Sequence, residues 1–463
     1  MSSRKKILFL CDASDIDVVE DSFSQDPDYQ LTIETTEKIL SFGVKPYIDQ
    51  TVERINHNPG LYDGVVGTHD SSAIFAAIIA QETGKRFAPV KGIIQSQNKF
   101  LCRRVQKQVT PEAAPRYCLA LDYLRDPSRL STPFFIKPVR ANISFGTHKI
   151  DTPEELHYYI GEESKDIALF NQYYLDALTY NSSYYDALNI ATCNSFLCED
   201  LIEGEQVTVD GYIMDGEVFS FGVTRAVFHP RTNSFSHHEF PCNIPAELEK
   251  KVKNILARLI PALGLDNSFF NVEMRLDEET RTFKIIEVNS RIAFQFAKTI
   301  EAVTGFDPLH LLCDLAVGEQ PDQRPRAERT HAACCNFELH AFDDAFILET
   351  PTRSAYEEIR LKYPGVRVRN LIHENVNLSD FKHNPQSYRY CVLDVPGDNR
   401  EEIMKKYEDV VVRLGYKFGA PSGESRPVAV HPGLPPERVK GGAEAFETQP
   451  QPDWSDGAGS GGA

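Results

Sequence analysis

Two runs decide the fold: Phe269-Phe270-Asn271-Val272-Glu273-Met274-Arg275 and, beyond the acidic turn Asp277-Glu278-Glu279, Ile285-Ile286-Glu287-Val288-Asn289-Ser290-Arg291. Both read as strands, Phe269–Leu276 and Thr282–Asn289. On a strand, positions i and i+2 share a face. Glu287 and Asn289 therefore point the same way, and Arg291 joins them where the chain stays extended. Apolar residues flank the acids, so carboxylates here are partly buried and need a counter-charge. Glu273, Glu287 and Asn289 together make a hard oxygen site suited to Mg²⁺ that also binds phosphates. The same spacing fits an ordinary polar strand face at a sheet edge.

Working outward, the segment 196–224 alternates like antiparallel strands. It holds Glu199-Asp200-Leu201-Ile202-Glu203-Gly204-Glu205-Gln206 and a hairpin turn at Met214-Asp215-Gly216-Glu217. A strand running into a Gly turn exposes backbone groups to a purine edge, and its carboxylates can accept from ribose hydroxyls; a plain acidic hairpin has the same look. Residues 246–263 have helical periodicity and end at Gly264. Further upstream, Lys137 closes the short strand Phe134-Phe135-Ile136-Lys137-Pro138, ahead of a loop with Ser144-Phe145-Gly146. A lysine there can hold a polyphosphate, or simply extend to water. Lys99 opens a helix expected over Lys99–Lys107, and a helix start is expected at Thr152-Pro153-Glu154-Glu155-Leu156.

The apolar run Ile7–Cys11 and the stretch Tyr62–Gly67 read as buried parallel strands. The second leads through Thr68-His69-Asp70-Ser71-Ser72 into a helix over Ala73–Ala80, capped by Ser71 or Ser72 and ended by Gly84. Residues 1–95 are thus a small α/β domain, without the GxGxxG of a dinucleotide site. The chain has 463 residues, 41% hydrophobic and 25% charged, and a formal charge of −18. That balance excludes a disordered or fibrous chain. It disfavours nonspecific nucleic-acid binding and docking on anionic membranes. No apolar stretch approaches the ~20 residues needed to span a bilayer. Ten cysteines without a CxxC pair read as free, mostly buried thiols in a reducing cytoplasm. Region 326–419 reads as a further α+β unit, and the Gly/Pro-rich residues 420–463, with the lone Trp454, as a disordered tail.

The order of these pieces is more telling than any one of them. Lysine, lysine with loop, acidic Gly-hairpin, glutamate on a strand, then Glu-x-Asn-x-Arg: over about residues 1–320 the chain resembles the ATP-grasp superfamily. The resemblance implies a pre-grasp α/β domain (1–95) and two α+β subdomains clasping ATP, at 96–198 and 199–325. Gln97-Asn98-Lys99 matches the place of the first ATP lysine and Ile136-Lys137-Pro138 the second, with Ser144 and Gly146 in the phosphate loop. Glu199, Asp200, Leu201 and Ile202 match the adenine hinge. Glu205 or Gln206 falls at the ribose position, the usual spacing favouring Gln206. Glu273, Glu287 and Asn289 match the magnesium ligands, and Arg291 the arginine beside the reacting phosphate. Thr304-Gly305-Phe306-Asp307 resembles the family's closing Thr-Gly-x-Asp segment. Two departures stand out. The phosphate loop 140–146 keeps only Gly146 of the family's glycines. The Glu287–Gly305 segment looks like that of biotin carboxylases, yet Gln295 stands where those enzymes carry a bicarbonate-activating Glu.

The resemblance also implies the chemistry: an ADP-forming carboxylate–amine or thiol ligase using ATP and Mg²⁺ (or Mn²⁺). ATP phosphorylates a small carboxylic acid or amino acid, an amine attacks the acyl phosphate, and phosphate leaves. Lys137 and Arg291 would be the catalytic groups. Arg225, His237, His238 and Glu239 lie where related ligases place substrate contacts. A homodimer is compatible with this reading. The alternatives are a bicarbonate-using carboxylase or carbamoyl-phosphate-type enzyme, and a catalytically silent ATP-binding regulator.

Overall fold

The computed structural model describes residues 4–421 except 25, 142–144, 323–330 and 382–386. Ser144, Trp454 and all of the tail beyond residue 421 lie outside the described residues. The described chain is mixed α/β and divides into two compact units.

The first unit comprises residues 1–225, 242–297 and 306–326. It starts with a parallel three-stranded sheet in the order Tyr29–Thr35, Lys5–Cys11, Gly64–Gly67. The central strand is buried from Ile7 to Cys11, as its unbroken apolar run requires. The helix after Gly67 begins at Asp70, three residues earlier than the apolar run alone suggests. Ser72 Oγ accepts from the backbone N–H groups of Thr68 and His69, at 3.1 and 2.9 Å, and so fixes the turn in front of it. The helix ends at Thr83, with Gly84 left-handed at φ 66°.

A four-stranded antiparallel sheet follows, in the order Tyr117–Leu119, Phe196–Asp200, Phe134–Pro138, His148–Ile150. Thr152 and Glu155 form a capping box, Pro153 sits in the first turn, and the helix they start runs to Leu178. The remaining strands of the unit stand in the order Thr282–Asn289, Ser268–Asp277, Glu205–Met214 and the 217–225 part of Glu217–Phe228, all antiparallel. Asp215 and Gly216 both take positive φ, the type I′ signature, at the expected hairpin. Gly204, at φ 105°, lies so close to the neighbouring strand that a Cβ would stand 2.2 Å from the Leu276 carbonyl oxygen. Only glycine lets the chain turn there. Ala246–Ala262 is the expected amphipathic helix, burying Leu248, Val252, Ile255, Leu256 and Leu259.

The second unit comprises 226–241, 298–305 and the chain from 327 onward. Its strands Phe235–Phe240, Ala333–Ala341, Tyr388–Gly397 and Arg367–Asn370 pair antiparallel in that order. One face of Ala333–Ala341 packs Cys335, Phe337 and Leu339 into a core with Tyr407 and Val410 of the helix Arg400–Leu414. All of the ten cysteines but Cys242 are buried. Among the described residues no helix is long and apolar enough to cross a membrane.

Candidate active site

Strand register builds the acidic face. Glu273 stands opposite Glu287, and Asn271 opposite Asn289. On the other side of the same strand, Thr208 is opposite Glu273 and Asp210 opposite Asn271. Alternation and register therefore gather these six side chains on one face. Val207, Val209, Val272, Met274 and Val288 go into the core on the other. Burial, and the Glu287 charge across the ladder, push the Glu273 carboxyl up to about 7, against the pull of Arg291 and the Asn289 hydrogen bond. Burial likewise pushes Asp210 up to about 7, opposed by hydrogen bonds from Asn271 and Thr208 and by Arg291. A carboxyl that burial and a like charge make readier to hold a proton is one that gains from added positive charge. That is the environment a divalent cation fits: Glu273, Glu287 and Asn289 offer oxygens, and Mg²⁺, which takes about six, would draw the rest from phosphate and water.

The two lysines reach this region from other elements. Lys99, first residue of the helix Lys99–Val109, is buried and places Nζ 2.9 Å from Glu287 Oε1 and 2.7 Å from the Ala141 carbonyl oxygen. Lys137, on Phe134–Pro138, is also buried; its Nζ lies 2.6 Å from Glu199 Oε2 and donates to the Ile286 carbonyl oxygen at 3.1 Å. Burial lowers the Lys137 pKa, with Glu199 opposing. Glu199 is saturated: Arg103 Nε reaches Oε1 at 2.5 Å and Arg103 Nη2 reaches Oε2 at 3.2 Å, beside Lys137. Burial alone would raise the Glu199 pKa, but the Arg103 and Lys137 charges outweigh it and hold the carboxyl below its usual range.

Arg291 lies just past the end of Thr282–Asn289. Its Nε is 3.4 Å from Asp70 Oδ1, and its Nη1 donates to the Ile292 carbonyl oxygen at 3.3 Å. A small cavity is lined by Asp70, Gln97, Arg140, Ala141, Glu287 and Asn289. It opens where the first lysine, the acidic face and the first residue of the Asp70–Thr83 helix converge.

Asp200 is held by Arg116 Nε at 2.8 Å, and Leu201 and Ile202 line a second cavity with Glu203, Arg275 and Lys284. Gln206 Nε2 donates to Glu273 Oε2 at 3.3 Å, so its amide leans on the acidic face. Glu205 pairs with Arg225 at 3.0 Å. Gly146, at φ 67°, would bring a Cβ to 2.7 Å from Pro138 Cγ. His237, His238 and Glu239 belong to the second unit, where His237 Nε2 meets Glu239 Oε1 at 3.2 Å and His238 lies 3.8 Å from Glu338. Sequence reasoning missed Asp70, Arg103, Asp210 and Asn271. Arg103 had a signal, being four residues after Lys99 on the same helix face. Asp210 and Asn271 had one too, two residues from Thr208 and Glu273 on their strands.

Residues 130–299 match the family model of the ATP-grasp domain. No curated protein matches the chain by sequence. Among solved structures, the chain is similar to L-amino acid ligase from Bacillus licheniformis at 16% identity, covering 90% of this chain and 99% of that one, TM-score 0.66. It is also similar to the biotin carboxylase domain dimer of Hydrogenobacter thermophilus 2-oxoglutarate carboxylase in complex with MgADP, ADP and bicarbonate (16% identity, 90% and 91% covered, TM-score 0.62). A third is N5-carboxyaminoimidazole synthase from Aspergillus clavatus in complex with ADP (13% identity, 89% and 99% covered, TM-score 0.60). The fold is an ATP-grasp architecture, with the domain match over residues 130–299. The chain carries an ATP-grasp domain.

Proposed function

We propose that the protein is an ATP-dependent, ADP-forming ligase that joins a small carboxylic acid or amino acid to an amine through an acyl phosphate. The observation that carries this reading is the convergence of Lys99, Lys137 and the Glu273–Glu287–Asn289 face within one compact unit. Carboxylates are poor electrophiles, and phosphorylation gives them a leaving group, so the protein's task is positioning and charge neutralisation. Mg²⁺ or Mn²⁺ bound by Glu273, Glu287 and Asn289 would neutralise phosphate oxygens. Lys99 trades its Glu287 partner for phosphate when nucleotide enters, and Lys137, still held by Glu199, adds its charge beside it. Arg291, released from Asp70, offers a two-pronged donor to the acyl phosphate. Glu199 to Ile202 present backbone groups to the base, while the Glu199 carboxylate stays engaged with Arg103 and Lys137. The fold likeness to an L-amino acid ligase over nearly the whole chain favours amino acids as the first acids to try.

The test is ADP release over a panel of amino acids and amines, with and without bicarbonate. Release that requires both an acid and an amine supports the ligase. Release driven by bicarbonate alone transfers the site to the carboxylase class, and nucleotide binding without release under any condition makes the protein a regulator.

A further inference from the structure

Asn289 is useful to a cation only if its amide oxygen, not its nitrogen, faces the metal. The structure shows what sets that polarity. Asn289 Nδ2 donates to Asn271 Oδ1 at 3.1 Å and to Glu273 Oε1 at 3.4 Å. Asn271 can present its oxygen there because its own Nδ2 is turned the other way, donating to Asp210 Oδ1 at 3.0 Å and to Thr208 Oγ1. Thr208 in turn donates to Asp210 Oδ2 at 3.3 Å. When ionised, the carboxylate at the end of this chain accepts only, so each amide before it has one allowed orientation. Asp210, Asn271 and Asn289 are 4%, 3% and 6% exposed, and water competes little for these bonds.

We infer that Asp210 and Asn271 are positioning residues for the divalent-cation site: the Asp210 carboxylate fixes the Asn271 amide, which fixes the Asn289 amide with its oxygen toward the metal. The inference rests on the reading of Glu273, Glu287 and Asn289 as metal ligands. Partners behind a ligand orient it, and losing one costs about 10–100-fold in metal affinity. An asparagine at 210 can accept or donate, so Asp210→Asn lets both amides turn over and present nitrogen to the metal.

The experiment is Mn²⁺ binding to the full chain in the presence of ADP, read by electron paramagnetic resonance, with melting temperature measured alongside. Wild type binds Mn²⁺ and Glu287→Gln does not; failure of that pair of results removes the metal reading itself. Given that pair, Asp210→Asn weakens Mn²⁺ binding by about 10-fold or more with little change in melting temperature. An aspartate at 289 has no wrong face, so in an Asn289→Asp background Asp210→Asn changes affinity by less than about 2-fold. Equal loss in both backgrounds would show that Asp210 acts through its charge alone and would overturn the inference, as would wild-type affinity in Asp210→Asn. Should Asp210→Asn fail to fold, Asn271→Leu, which changes no charge, makes the same decision: weakened Mn²⁺ binding supports orientation and unchanged binding refutes it.

Discussion

Two carboxylates of the first unit, the buried Glu199 and the half-buried Glu273, sit on different sheets and meet opposite fates. Glu199 is enclosed by Arg103 and Lys137, its pKa held low and both oxygens taken. Glu273 faces another carboxylate and is pushed up to about 7 by burial and that neighbour. The difference separates a carboxylate neutralised by cationic side chains from one set against another carboxylate, as a cation-binding role for Glu273 would require. A closed ion network is complete without a ligand; a like-charge pair on a strand face is not.

The largest expected effect comes from emptying the incomplete site. Glu287→Gln should lower ADP formation by about 10³-fold, the upper end of the loss seen when one group stabilising developing charge is removed, while far-UV circular dichroism stays native. Near-normal turnover at saturating Mg²⁺ would dissolve the contrast. The counterpart is Glu199→Gln, which leaves Arg103 and Lys137 buried beside a neutral amide. Breaking such a network costs about 3–5 kcal/mol, so the melting temperature should drop sharply, whereas Glu273→Gln should leave it unchanged or raised. If both variants melt alike, the two carboxylates are not different in kind.

Arg291→Lys tests the junction between the acidic face and Asp70. A point charge replaces a fork, so kcat should fall by about 10²-fold with ATP affinity retained. A lower melting temperature and an unaltered kcat would make the Asp70 pair purely structural. The smallest effect is on pH dependence. With a folded pKa near 7, Glu273 binds more protons in the native state than in the unfolded chain between about pH 4.5 and 7. Its contribution to stability therefore falls as pH rises through that window, by at most about 1.4 kcal/mol per unit, and Asp210 acts in the same sense. Glu199, with a lowered pKa, acts in the opposite sense: its contribution is present above the unfolded carboxylate pKa and is lost as pH falls through the folded one. In metal-free buffer, Glu273→Gln should flatten the decline between pH 5 and 7, as chemical denaturation at each pH would show.

Much of the acidic face was legible because strand alternation is local: Glu287-x-Asn289 shares a face whatever lies beyond it. The counter-ions were not, because Arg103 meets Glu199 across 96 positions of chain and Asp70 meets Arg291 across more than twice that. The start of the helix Pro153–Leu178 was readable from Thr152, Pro153 and Glu155, but its length was not. Tyr158 and Leu169 are 62% and 76% exposed, so apolar residues on the solvent face blur the stripe formed by Leu156, Ile167, Tyr174 and Leu178. The identity of the His237, His238 and Glu239 ligands has no signature in either the sequence or the register, since each residue finds a partner within its own unit.

In the proposed function, Lys99 and the Glu273–Glu287–Asn289 face form one nucleotide–metal site whose ion pair, Lys99 with Glu287, opens to admit both. Calorimetric titration of ATP into wild type and Glu287→Gln, with Mg²⁺ and with EDTA, addresses it directly. Mg²⁺ should tighten ATP binding to wild type by about 10-fold or more and have little effect on the variant. Equal ATP affinity in wild type with and without Mg²⁺, or the same Mg²⁺ enhancement in Glu287→Gln, would contradict it.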